Sequence, residues 1–83
     1  MLLLPIKFEY LETDYEALLR VKVKEAKTEY YITVMNGELE KMLYGHHVIT
    51  EENGVLQLGT VPDTEAGRLK CKIAESIKKL RNQ

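Results

Sequence analysis

The sequence predicts an α+β fold: an antiparallel β-meander of five to six strands with one C-terminal helix packed on one face, in two layers. Three observations support this fold class. Apolar and polar residues alternate along most of residues 4–60, as in strands that bury one face. Turn-forming residues separate the alternating stretches. From residue 64 onward the apolar spacing changes to three and four, which is typical of a helix.

Length and composition fit one small globular domain spanning 1–83. The chain has 83 residues, of which 45% are hydrophobic and 30% charged, and its formal net charge is −1. A chain of this size builds a single hydrophobic core. The balanced charge excludes a polycationic DNA-wrapping protein and an extended acidic tail.

The alternating stretches predict six strands. In the second strand, for example, Leu19, Val21 and Val23 alternate with basic residues. The predicted strands lie at about 4–11, 17–26, 29–35, 38–44, 46–50 and 55–59.

Three predicted turns define the register of the first four strands. Asn36-Gly37 predicts a two-residue hairpin turn, because such turns need positive φ at both central residues. Residues 13–16 predict a four-residue loop, and Lys27-Thr28 a two-residue loop. One residue conflicts with this register: Lys41 falls among the buried positions, so either its stem reaches toward the sheet edge or a β-bulge near residues 38–42 changes which side chains face inward.

The predicted register gives a continuous buried face. It places Tyr10 opposite Leu19, and Val23 opposite Ile32. The two buried rows that result contain Phe8, Val21, Val34 and Leu39, and Ile6, Val23 and Ile32.

The C-terminal part predicts a last hairpin and a covering helix. Residues 51–54 form the hairpin loop, with Ile49, Leu56 and Leu58 pointing inward. Asp63 or Thr64 is the expected N-cap of a helix over about 64–81. The apolar stripe of this helix, which is the expected cover of the sheet, contains Ala66, Leu69, Ile73, Ile77 and Leu80.

The sheet face opposite the helix is the first candidate for function. The predicted register places Tyr31, Met35, Met42 and Tyr44 there, beside a basic rim. Aromatic residues and methionine with adjacent basic residues are typical of partner surfaces. We therefore expect a small protein–protein interaction or regulatory accessory domain, whose partner is another protein or a second copy in a homodimer. The alternative is that curling of the sheet or a bulge buries Met42 and Tyr44.

A basic stripe on the helix predicts an alternative function, nucleic-acid binding. Arg68, Lys72 and Lys79 share the exposed side of the helical wheel, and anionic partners attract such clusters. Against this alternative, residues 1–63 contain eleven acidic and six basic residues, and the calculated pI is about 6.1. Basic residues near a helix C-terminus also stabilise the helix through its dipole.

No residue pattern predicts an enzyme, a cofactor or a metal site. His46 and His47 are adjacent on a predicted strand, so their rings point to opposite faces. Cys71 lies on the outer side of the predicted helix, away from any base. A single cysteine, no signal peptide and no membrane-spanning stretch together predict a cytoplasmic protein.

Overall fold

A computed structural model of the chain describes residues 2–44, 46–59 and 64–81. It confirms the predicted α+β class, because five antiparallel strands form one sheet and a C-terminal helix packs on one face. The strands lie side by side in chain order and are β1 (Leu2–Tyr10), β2 (Thr13–Val23), β3 (Thr28–Val34), β4 (Val48–Glu52) and β5 (Val55–Gln57). The helices are α1 (Gly37–Met42) and α2 (Glu65–Arg81).

One face of the sheet forms the hydrophobic core, and α1 and α2 both pack against it. The buried residues of the strands alternate as predicted: they are Ile6, Phe8, Tyr10, Ala17, Leu19, Val21, Tyr30, Ile32, Val34 and Ile49. Val23, which was predicted in the buried row, is exposed because it lies at the last position of β2.

The register between β1 and β2 differs from the prediction. The chain reverses at Leu11 and Glu12, which both have positive φ, and β2 begins directly afterwards at Thr13. Tyr10 therefore pairs with Thr13 instead of Leu19, and residues 13–16 are strand instead of loop. The side chains predicted to be buried still lie on the buried face, because the pairing is shifted by an even number of residues.

The register between β2 and β3 is also wrong in the prediction. Val23 pairs with Thr28, and Leu19 pairs with Ile32. The loop spans 24–27 and closes with a hydrogen bond from the Lys24 amide to the Lys27 carbonyl. This shift is again an even number of residues, so the buried face is retained.

The predicted strand 38–44 is helical over most of its length, which is the largest correction. Asn36 is the N-cap of α1, and its side-chain oxygen accepts a hydrogen bond from the Leu39 amide at 3.1 Å. Leu39 and Leu43, one helical turn apart, are both buried in the core. The conflict at Lys41 disappears, because this residue lies on the exposed side of α1.

The last hairpin is present, but its loop is shorter than the predicted 51–54, because β4 runs from Val48 to Glu52 instead of over 46–50. Asn53 and Gly54, both with positive φ, form the turn between β4 and β5. Ile49 is fully buried, and Leu56 and Leu58 are partly buried side chains that pack against the core.

Helix α2 covers the core face from the β1 side. Leu69, Ile73 and Ile77 are fully buried, whereas Leu80, at the end of the predicted stripe, is partly exposed. Ser76 Oγ donates a hydrogen bond of 3.0 Å to the Lys7 carbonyl, which joins the helix to the outer edge of β1. The predicted cap Asp63 lies outside the described residues. No helix in the described part of the chain is long and apolar enough to cross a membrane.

Candidate protein-interaction surface

The second face of the sheet carries the candidate site. Both helices place their buried residues in the core on the first face, and no other helix is present among residues 2–44, 46–59 and 64–81. We call the second face the open face. Its residues are those that alternate with the core positions along each strand.

A row of two aliphatic residues, a tyrosine and an arginine crosses the open face over four neighbouring strands. Leu3 pairs with Arg20, Arg20 with Tyr31, and Tyr31 with Val48. Leu3 is 54% exposed and Val48 38% exposed. Leu18, half-buried, lies in the adjacent row between Pro5 and Thr33. Several large apolar side chains therefore lie among charged residues on a face that no described helix covers.

Tyr31 is held in place at the centre of this row. The Arg20 guanidinium lies 5.7 Å from the centre of the Tyr31 ring, within the range of a cation–π contact. Tyr31 Oη donates a hydrogen bond of 3.0 Å to Glu29 Oε1, and Lys24 Nζ lies 3.1 Å from the same oxygen. The hydrogen bond to Glu29 raises the pKa of the Tyr31 phenol. The hydrogen bonds from Lys24 and Tyr31 lower the pKa of the Glu29 carboxyl.

Charged residues on β2 are arranged by sign on either side of Leu18. Asp14 and Glu16 precede it on the open face, and Arg20 and Lys22 follow it. All four charged side chains are exposed, and none forms a salt bridge with another described residue. The strand therefore presents an acidic end, an apolar centre and a basic end.

The structure brings together only part of the predicted contact set. Tyr31 lies on the open face, and the Met35 amide donates to the Glu16 carbonyl, which extends the β2–β3 register and places exposed Met35 on the same face. The predicted position of Met42 on this face is wrong, because Met42 belongs to α1 and packs against the core. Tyr44 follows α1 and is 85% exposed.

Three apolar residues of this surface were missed by the sequence analysis. Leu3, Leu18 and Val48 each alternate with core residues, and this alternation was the available signal. Leu18 was overlooked because residues 13–16 were interpreted as a loop, so the strand appeared to begin next to it.

The basic residues of the alternative function lie on the outer side of α2. Arg68, Lys72 and Lys79 are all exposed, as the helical wheel predicts. Lys72 lies 3.8 Å from Glu75, one turn further along the helix. Lys79 borders a groove beside the edge of β1.

The histidines and the cysteine lie apart from the open-face row. His47 Nε2 lies 2.9 Å from Glu40 Oε1, and the same oxygen accepts a hydrogen bond from the Val34 amide. The Glu40 carboxylate therefore accepts a hydrogen bond from a β3 amide that lies beyond the end of the pairing between β3 and β4. Cys71 is exposed on α2, as predicted. No group of three His, Cys, Asp or Glu side chains suited to a metal ion occurs within the described ranges.

Lys70 is a buried charged residue on α2, and its ammonium group donates a hydrogen bond to the Leu58 carbonyl. Burial lowers the pKa of this lysine, because the charged form loses its hydration.

Comparison with protein-family models, with curated proteins and with solved structures finds no significant match to this chain.

Proposed function

We propose that this chain is a small protein–protein interaction domain that docks through the open face. One observation carries the proposal: the row of Leu3, Arg20, Tyr31 and Val48 places two exposed aliphatic side chains and a partly exposed tyrosine in register on the face that no described helix covers. Burying such side chains contributes about 25 cal/mol for each Å² removed from water.

The restraint of Tyr31 supports this function. Tyrosine and arginine are enriched among the residues that dominate binding energy, and here Arg20 lies against the Tyr31 ring. The contacts of Tyr31 with Arg20 and Glu29 restrict its side chain before any partner arrives. A side chain that is already ordered loses less conformational entropy on binding.

Affinity capture from cells that express the chain tests the proposal. The variants Tyr31→Glu and Val48→Glu replace the two large uncharged side chains of the row on β3 and β4 by a carboxylate. Glu75→Arg, on the exposed side of α2, is the control. We expect wild type and E75R to retain the same binding proteins, or a second copy of this chain, and both row variants to lose them. Unchanged capture by folded row variants would contradict the proposed function.

The alternative function is nucleic-acid binding through Arg68, Lys72 and Lys79, and the exposure of all three side chains favours it. It predicts binding to labelled DNA or RNA at about 50 mM salt that weakens steeply as salt rises, since cations released from the phosphates drive such binding. Fluorescence anisotropy with the triple alanine variant tests this function. Binding that is absent, or is unchanged in the variant, would eliminate it.

A further inference from the structure

We infer that the partner of the open face is a second copy of this chain, packed face to face about a twofold axis that crosses β2 at Leu18. This inference rests on the proposed function, because it takes the open face as the docking surface. It adds the identity of the partner and the residues that meet.

The charge order along β2 carries the inference. The outward residues read acid, acid, apolar, base, base: Asp14, Glu16, Leu18, Arg20 and Lys22. Reversing the strand direction exchanges the acids with the bases and leaves Leu18 in the centre. A second copy in the reversed direction therefore presents the opposite charge at every charged position of this strand.

Twofold geometry produces this reversal. An axis that lies between two packed sheets and runs across their strands at Leu18 stacks β1, β2 and β3 over their own copies in the opposite direction, and such an interface is self-complementary. Leu18 then faces Leu18 of the second copy, Glu16 faces Arg20, and Asp14 faces Lys22. Packed sheets cross at about 30°, so the match is closest at the central pair of Glu16 and Arg20.

The neighbouring strand β3 fits the same arrangement, whereas on β1 Lys7 of each copy faces Leu3 of the other. The register places Met35 in the row of Glu16, and Tyr31 in the row of Arg20. The twofold axis therefore places Met35 of each copy over Tyr31 of the other, and methionine sulfur packs favourably against aromatic rings. In the central row, Pro5 and Thr33 flank Leu18 and carry no charge that would repel its own copy.

The area of the open face determines how tightly we expect the two copies to bind. β1, β2 and β3 extend to both sides of the Leu18 row, whereas β4 lies wholly on the Tyr31 side, so three strands overlap their own copies. At about 4.8 Å spacing and about 25 Å length they offer about 360 Å² per copy. The total over both copies is about 700 Å², well below the range of permanent dimers and in that of the weakest transient complexes. We therefore expect a reversible dimer with a dissociation constant in the micromolar range or weaker.

Charge exchange at the central pair is the decisive test. In E16R, the new arginine at position 16 of each copy faces Arg20 of the other, so two positive pairs form. In R20E, the new glutamate at position 20 faces Glu16 of the other copy, so two negative pairs form. Each single variant should weaken dimerisation at least about tenfold, because like charges that face each other across an interface are repulsive. In the double variant E16R/R20E, position 16 of one copy again faces the opposite charge at position 20 of the other, provided that the strands stack face to face in opposite directions. The double variant should therefore dimerise again. The controls E75R and R68E make the same charge changes on α2 and should dimerise like wild type.

Sedimentation equilibrium over about 1–500 μM protein measures these effects at low and high salt. The wild-type mass should rise from 9.6 kDa toward twice that value, and the rise should shrink at high salt because exposed charges are screened. Circular dichroism verifies that each variant is folded. Where a central variant does not fold, the outer pair D14K, K22D and D14K/K22D repeats the test.

Concentration-dependent amide shifts of the wild-type chain provide a measurement without substitutions. Shifts at Leu18, Tyr31 and Met35, and none at the outer side of α2, would support the arrangement. A mass that stays at 9.6 kDa up to about 500 μM would overturn the second copy as partner, and the proposed function would then be judged by the capture experiment alone. A wild-type dimer whose double variants remain monomeric would overturn the twofold geometry.

Discussion

The turn between β1 and β2 should be easy to stabilise. Leu11 has φ 51° and Glu12 has φ 63°, so both central residues of a two-residue hairpin turn adopt the left-handed region. Asparagine and glycine are the residues preferred at these two positions in such turns. The double variant L11N/E12G should therefore raise the free energy of unfolding.

The expected gain follows from the backbone and from the exposure of the side chains. The left-handed conformation costs roughly 1–2 kcal/mol for each ordinary residue, and glycine avoids that cost. Leu11 is 76% exposed, so its replacement removes little apolar contact. Glycine also makes the unfolded chain more flexible, which offsets about 0.5–1 kcal/mol of the gain. A net stabilisation of about 1 kcal/mol remains.

Urea unfolding monitored by circular dichroism measures this gain. At about 1 kcal/mol per molar of urea, the midpoint should rise by about 1 M. The matched control exchanges the residues of the last hairpin: N53L/G54E places ordinary side chains at φ 53° and φ 80° and should lower the midpoint. A lower midpoint for L11N/E12G would refute the argument, because the turn would then depend on Leu11 or Glu12 for contacts.

Five further variants test the core, the cap and two perturbed pKa values. Ile73→Ala should lower the free energy of unfolding by about 2–5 kcal/mol in urea, because it leaves a cavity where a fully buried side chain packed; a loss below 1 kcal/mol would contradict the packing. Asn36→Ala should cost about 1 kcal/mol through loss of the α1 cap, whereas N36D should retain stability; equal effects of both would contradict the capping role. Glu29→Gln should lower the ionisation pH of Tyr31 toward 10.0 in an ultraviolet titration, since the carboxylate no longer opposes the phenolate. Burial lowers the pKa of Lys70, so between this lowered pKa and 10.5 the unfolded chain binds more protons than the folded chain. The free energy of unfolding should therefore rise with pH over that range, and the rise should be absent in K70M.

The sequence predicted the faces of the strands better than their pairing. Alternation depends on each strand alone, and it placed Ile6, Leu19 and Ile32 correctly in the core. Pairing depends on where the chain turns, and the turn at Leu11 and Glu12 contains none of the residues that favour such a conformation. Local turn chemistry therefore could not locate it.

The two Asn-Gly pairs show why the strand 38–44 was predicted wrongly. Asn53-Gly54 forms a hairpin turn, whereas Asn36 caps a helix, and the dipeptide is the same in both places. What differs is the sequence that follows. Leu39 and Leu43 are four residues apart, which places both on one side of a helix, and the charge of Lys41 is unfavourable in a buried strand position. The conflict at Lys41 was the available signal for a helix.

The correction of the first turn is also what makes the charge order on β2 visible. With residues 13–16 as a loop, Asp14 and Glu16 have no defined face, and the strand presents only its basic end. With β2 beginning at Thr13, these two acids join Arg20 and Lys22 on the open face, with Leu18 between them. A strand with only a basic end favours an acidic partner, whereas a strand whose charges invert about its centre is complementary to its own copy. The same change of register that corrects the fold thus favours a second copy over another protein as the partner.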